Sequence, residues 1–156
     1  MNIRLLAIGK EEENYQPLVN DFSARANHYA GFSIVLIPPP KISGSTPEAI
    51  QKEREGILLL KQVTPGDEVL LLDERGRELT STEFATFLNQ RFISGKKRLT
   101  CIIGGAFGVD EAIRRRANHI LSLSRMTLPH QLVRPLFIEQ LYRALTILRD
   151  EAYHHA

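Results

Sequence analysis

Ile102-Ile103-Gly104-Gly105-Ala106-Phe107-Gly108-Val109 is the stretch that decides how this chain folds. It begins as an apolar, branched run, the mark of a buried strand, and breaks into closely spaced glycines, as a strand does where its end meets a ligand. A second stretch, Leu123-Ser124-Arg125-Met126-Thr127-Leu128-Pro129-His130-Gln131-Leu132-Val133-Arg134, is a polar loop feeding a long apolar helix. Together the two outline one cofactor pocket.

Outward from these stretches, short apolar runs at residues 3–8, 32–37, 68–72, 99–103 and 120–123 alternate with segments of helical period. That alternation predicts an α/β fold, a parallel sheet with helices on its faces. Tyr15, Leu18, Val19, Phe22, Ala26 and Tyr29 recur at three- and four-residue steps and share one helix face. Pro38 to Pro40 stop the second strand, residues 41–45 form a mobile loop, and Thr46-Pro47-Glu48 open a helix whose buried side is marked by Ile50, Ile57 and Leu58. The all-apolar centre Val69 to Leu72 predicts a central strand buried on both faces. Thr80 and Glu83 have capping-box spacing ahead of Phe84, Phe87 and Leu88. A short polar helix follows at about 110–117. The last helix carries Leu136, Phe137, Ile138, Leu141, Ala144, Leu145, Ile147 and Leu148 around most of its circumference. It is buried either in a homodimer interface or deep within its own chain.

The 156 residues, 43% hydrophobic and 24% charged, read as a single domain over 1–156 with no repeat or linker. A net charge of +2 is too small to declare a nucleic-acid partner, so any such contact needs a local patch or two subunits combined. The single cysteine, Cys101, sits in an apolar run without zinc-ligand spacing and reads as buried and structural. No metal site is expected. No apolar run approaches the roughly 20 residues that span a bilayer, and no signal peptide precedes the first strand, so a cytoplasmic protein with no membrane partner is expected.

The glycine turn lacks the dinucleotide fingerprint and the Lys-Ser/Thr of a P-loop, so spacing alone leaves a phosphate-binding turn and a plain tight turn both open. His130 has the chemistry of a base, Arg134 of a phosphate anchor and Glu139 of their orienting partner; a turn histidine and ordinary helix ion pairs are the other reading. Tyr153, His154 and His155 offer groups that stack on a base, hydrogen-bond it or move a proton. Lys96-Lys97-Arg98 and Arg114-Arg115-Arg116 are solvated surface or nucleic-acid contacts.

Five motifs in order carry a resemblance: Leu-Leu-Leu-Asp-Glu-Arg-Gly (70–76), Ile-Ile-Gly-Gly-Ala-Phe-Gly (102–108), Leu-Ser-Leu-Ser-Arg-Met-Thr-Leu-Pro-His-Gln-Leu-Val-Arg (121–134), Glu-Gln-Leu-Tyr-Arg-Ala (139–144) and Tyr-His (153–154). With these the chain resembles, over its whole length, the large-subunit ribosomal RNA methyltransferase H family of SPOUT methyltransferases. The resemblance implies a C-terminal deep trefoil knot, which no periodicity would reveal, and a homodimer whose partner chain completes each active site. It implies methyl transfer from S-adenosylmethionine to N3 of a pseudouridine in 23S rRNA, on the assembled 70S ribosome, leaving S-adenosylhomocysteine. The cofactor is then held by Leu72, by Gly105, whose missing side chain leaves room for the ribose, and by Ser124, Arg125, Met126, Thr127, Leu128 and Pro129. The same resemblance makes His130 and His154 the candidate bases, with His154 arriving from the partner chain, and Tyr153 beside it a further catalytic residue. Arg134 and Arg143 would hold phosphate or favour the deprotonated ring.

Three positions depart from the family pattern: Pro135 after Arg134, Ala106-Phe107 in the glycine turn, and His155 after Tyr-His. Pro135 is tolerable where a helix begins about there. Two other functions compete: a ribosome-binding protein of this fold that no longer transfers methyl groups, and a small nucleotide- or NAD-binding α/β protein.

Overall fold

In the first strand, β1 (Asn2–Ile8), Leu5 and Ala7 point to one side, Leu6 and Ile8 to the other, and all four are buried. Such a strand needs cover on both faces. The computed structural model, which describes residues 1–155, supplies it: β1, α1 (Gln16–Tyr29), β2 (Phe32–Ile37), α2 (Glu48–Leu60), β3 (Glu68–Glu78), α3 (Ser81–Ile93), β4 (Arg98–Ile103), α4 (Glu111–Arg116), β5 (His119–Ser122) and α5 (His130–Ile147). The strands form one parallel sheet in the order β2-β1-β4-β3-β5. Helices α1, α3 and α5 cover one face around Phe84, Phe137 and Leu141; α2 and α4 cover the other through Leu59 and Ile113. Among the described residues, no helix is long and apolar enough to cross a membrane.

Most expected elements appear within a residue or two of their expected places, and three details differ. Strand β3 is an inner strand with Val69 to Leu72 buried on both faces, as expected, but it runs on past Leu72 to Glu78. Helix α2 buries Glu55, Gly56 and Leu59, whereas Ile50 and Ile57 are exposed, because this helix turns its small, polar stripe toward the glycine turn. Helix α5 begins at His130, so Pro135 lies inside it and leaves the Gln131 carbonyl without its helical donor. The Thr80–Glu83 capping box is complete, with Glu83 N–H donating to Thr80 Oγ1 at 3.2 Å and Thr80 N–H to Glu83 Oε2 at 2.7 Å. Cys101 is fully buried and free.

The far end of β3 has an unusual path. Leu72 and Arg77 both pair with Leu121 of β5, and the register breaks between them. The intervening bend presses Gly76 onto β5 so closely that a Cβ there would lie 2.7 Å from backbone atoms of Ile120 and Leu121. No other residue fits that contact.

Candidate active site

In a parallel sheet, bound ligands sit beyond the carboxyl ends of the strands, and the sequence places its glycine turn and polar loop there. The two line one cleft of about 550 Å³, together with the bend after Leu72, a size suited to a cofactor. Leu72, Gly105, Ser124, Met126, Thr127 and Leu128 line it, and so does His130. Arg125 and Pro129 belong to the same loop but are exposed and lie outside the lining.

The glycine turn is closed by a hydrogen bond from Gly108 N–H to the Gly105 carbonyl at 3.0 Å, with Gly108 at a φ of 82°. It is thus a tight turn and a cleft wall at once. Gly104 faces its own turn, where a Cβ would come within 2.8 Å of the Gly108 carbonyl. The space a side chain on Gly105 would need is already taken by the carboxylate of Glu55, so this glycine makes room for a protein group.

The loop after β5 is held by its own side chains. Ser122 Oγ donates to the Ser124 carbonyl at 2.8 Å, Ser124 Oγ accepts from Met126 N–H at 3.0 Å, and Thr127 Oγ1 donates to Glu74 Oε2 at 3.0 Å. Met126 itself is 77% exposed. Across the cleft, Asp73 pairs with Arg114. Burial pushes the Asp73 carboxyl up, and the Arg75 backbone N–H and the Arg114 guanidinium outweigh it, so the group ionises below the usual carboxylate range. Glu48 and Lys52 of α2 complete a rim of charge. Sequence reading missed these residues, although Asp73 to Arg75 directly follow a buried strand and Arg114 stands in the Arg114-Arg115-Arg116 run.

His130 opens α5 at the cleft. Burial pushes its imidazole pKa down, and the nearby positive charge of Arg134 adds to this, with Glu12 opposing. Arg134 does not reach the cleft. It is 1% exposed, pairs with Glu11 at 3.0 Å, and donates to the Gly9 carbonyl at 3.1 Å and the Ile8 carbonyl at 2.5 Å. Gln131 Nε2 donates to the Lys10 carbonyl at 2.9 Å. These two side chains clamp the end of β1 to the start of α5.

Arg143, Tyr153 and His154 gather at the other end of α5. Glu139 Oε1 accepts from Arg143 Nη2 at 2.5 Å and from Tyr153 Oη at 3.0 Å. The Arg143 guanidinium lies 4.6 Å from the centre of the Tyr153 ring, which itself packs 4.5 Å from Tyr142. Asp150, at a φ of 53°, reverses the chain so that the tail returns along α5. His154 Nδ1 is buried without a partner. Arg143 lies thirteen helical steps beyond His130, about 20 Å at 1.5 Å per step. One chain therefore brings the cofactor-type residues and His130 together, and holds Arg143, Tyr153 and His154 elsewhere. Among the described residues, no His, Cys, Asp and Glu cluster suits a metal ion.

Comparison with known proteins adds to this geometry. The family model of predicted SPOUT methyltransferases matches residues 1–154. The ribosomal RNA large subunit methyltransferase H of Parabacteroides distasonis is 45% identical over 156 residues, covering 99% of each chain. Proteins of the same name from Flavobacterium johnsoniae and Bacteroides fragilis are 44% and 40% identical, again over 99% of both chains. Among solved structures, a probable methyltransferase from Bordetella pertussis matches with a TM-score of 0.56 at 18% identity, covering 92% of this chain and 96% of that one, a likeness of fold alone.

Proposed function

The chain belongs to the SPOUT methyltransferase family, and from that premise we propose that it transfers a methyl group to N3 of a pseudouridine in the 23S rRNA of the assembled 70S ribosome, with S-adenosylmethionine as donor. It is a large-subunit rRNA methyltransferase, as are its full-length relatives by name. The observation that carries this reading is one cleft in which Leu72, Gly105, Ser124, Met126, Thr127 and Leu128 meet. The match over residues 1–154 leaves no place for the dinucleotide-binding alternative.

The cleft suits the cofactor chemically. Leu72, Leu121, Leu123, Leu128 and Val133 offer an apolar bed, and the bare backbone of the glycine turn offers hydrogen bonds of the kind an adenosine needs. Leu72, Gly105, Ser124, Met126, Thr127 and Leu128 would hold the group, with Arg125 and Pro129 at the edge of the same loop. When bound, S-adenosylmethionine supplies a methyl carbon already activated by its sulfonium. The protein's remaining work is to align the ring nitrogen and take up its proton. His130, its pKa lowered by burial, stays neutral at pH 7 and is in the state that accepts a proton.

Arg143, Tyr153 and His154 act on the partner's cleft in this reading, and the protein is a homodimer. Two features support it: the 20 Å separation along α5, and Leu132 and Leu136, one turn apart on α5, which stay partly exposed while Phe137, Ile138 and Leu141 are buried. Membership of the SPOUT family is what supports a trefoil-knotted C-terminal half.

The test is transfer of labelled methyl to 70S ribosomes and to free 50S subunits, with the product nucleoside identified by mass spectrometry. N3-methylpseudouridine, mainly from 70S, is expected. Cofactor binding without transfer to either particle would favour an inactive ribosome-binding protein.

A further inference from the structure

Helix α2 meets the glycine turn through a reciprocal pair of contacts. At Gly56, inside the helix, a Cβ would lie 2.7 Å from Asp110 Oδ1; at Gly105, in the turn, a Cβ would overlap Glu55 Oε2 and lie 2.8 Å from Oε1. Each surface leaves out a side chain where the other inserts a carboxylate. Neither glycine has a positive φ, so the missing side chain is a matter of space rather than backbone conformation. An interior helix glycine costs roughly 1 kcal/mol relative to alanine, and close approach is the usual reason for one.

Glu55 is 4% exposed. Gln51 Nε2 donates to its Oε1 at 3.1 Å, and its Oε2 is buried with no hydrogen-bond partner. Burial pushes the carboxyl above its usual range, opposed in part by Gln51. A buried, half-satisfied acid lowers stability, and groups of this kind concentrate beside functional sites. Its orphaned oxygen rests against Gly105, the turn glycine of the cleft wall that Glu55 backs directly.

We propose that Glu55 is a positioning residue for the cofactor site, its carboxyl backing the Gly104–Gly108 turn and fixing how that wall sits against the cleft. The inference rests on the reading of Gly105 as a cofactor contact. Glu55 does not line the cleft and acts through Gly105, so its loss is felt in cofactor affinity and not in the chemical step.

The test is a double-mutant cycle on the full-length protein, read by calorimetric S-adenosylmethionine binding and by KM and kcat on 70S ribosomes, with a melting curve for each variant. Glu55→Ala is expected to raise the cofactor KM about tenfold with kcat within twofold, and Glu55→Gln, of the same shape, to stay within threefold of wild type. Gly105→Ala alone is expected to weaken binding about tenfold. Independent effects would multiply to about a hundredfold in the double variant. With the shared contact, Glu55→Ala vacates the space the new methyl needs, and the double variant binds no more weakly than Gly105→Ala. A cofactor KM unchanged in Glu55→Ala, or a multiplicative cycle, overturns the inference. Should Glu55→Ala fail to fold, Glu55→Asp, which withdraws the carboxyl by one methylene, takes its place in the cycle with the same criteria. Wild-type protein that binds no cofactor would instead sink the reading of the cleft itself.

Discussion

The two ends of the sheet are built on opposite principles. At the amino end, Asp67 is nearly saturated: Oδ1 accepts from Arg98 Nε at 2.7 Å and Thr64 Oγ1 at 2.9 Å, and Oδ2 from Thr100 Oγ1 at 3.0 Å, Thr64 N–H at 3.1 Å and Arg4 Nη2 at 3.3 Å. Arg116 adds bonds to the Thr64 and Asp67 carbonyls, and Asn118 Oδ1 accepts from Val69 N–H. At the carboxyl end, glycine backbone is bare, Met126 and Phe107 stand exposed along the cleft, and Glu55 keeps one carboxylate oxygen buried without a partner. One end spends its side chains on holding strands together; the other turns backbone and apolar side chains toward a cleft.

Arg134 is the exception at the carboxyl end, and breaking it gives the largest expected effect. Removing one partner of a buried ion pair typically destabilises by about 3–5 kcal/mol. Arg134→Met, which strands Glu11 and frees two carbonyls of the β1 end, is expected to lower the melting temperature by about 10 °C. A variant that melts like wild type yet loses RNA affinity would return Arg134 to the role of phosphate anchor.

The tail comes next. Deleting residues 153–156 removes Tyr153 and its bond to Glu139 but, among the described residues, nothing that lines the cleft. Cofactor binding is expected to stay within twofold while methylation falls about a hundredfold, which corresponds to about 2.7 kcal/mol of transition-state stabilisation. Mixing this truncated protein with a cleft-defective Gly105→Val variant, and recovering activity in the mixed dimer, would locate the tail's action on the partner. Full activity of the truncated protein alone removes the tail from the mechanism.

Which parts of this contrast the sequence disclosed follows from the range of the interactions involved. Strand alternation, the Thr80 cap and the glycine turn are local patterns, and they appear where expected. The residues expected to hold the cofactor also lie on contiguous stretches, and all of them but Arg125 and Pro129 line the cleft. What stayed hidden depends on contacts distant in sequence: Glu55 against Gly105, Arg134 against Glu11, Gly76 against β5 and the Asp67 hub. Gly56 was the available clue to the first, a glycine inside a helix beside an acid. Ile50 and Ile57 misled because apolar residues at helical spacing normally mark the buried face, and here the buried stripe is occupied by Glu55, Gly56 and Leu59.

The amino end offers a stability test that leaves the cleft untouched. Burial pushes the Asp67 carboxyl up, but the bonds from Arg98, Thr64 and Thr100 outweigh it and hold the group at about 2. Its folded value lies below the unfolded one, so its contribution to stability is complete above about pH 4 and disappears as pH falls toward 2. Asp67→Asn leaves Arg98 and Arg4 without their anion and is expected to cost about 2 kcal/mol at pH 7, with cofactor affinity unchanged. Between pH 4 and pH 2 its melting temperature is expected to fall less steeply than that of wild type. Equal slopes would mean that other carboxylates govern acid unfolding.

Met126 gives the smallest effect and the finest distinction at the carboxyl end. Its side chain is 77% exposed on a loop fixed by Ser124, and it lines the cleft. An unbranched thioether there adapts its shape to whatever covers it. Because it is so little buried, Met126→Ala is expected to change folding stability by no more than about 0.5 kcal/mol. Truncating it still removes apolar surface that a cofactor would cover, and about 25 cal/mol per Å² over a few tens of Å² amounts to a loss of about threefold in affinity. Calorimetry with the cofactor alone reads that loss directly. If cofactor affinity is unchanged and the KM for 70S ribosomes rises instead, Met126 is covered by RNA, and the boundary between cofactor wall and RNA-facing rim runs between Met126 and its neighbours Ser124 and Thr127.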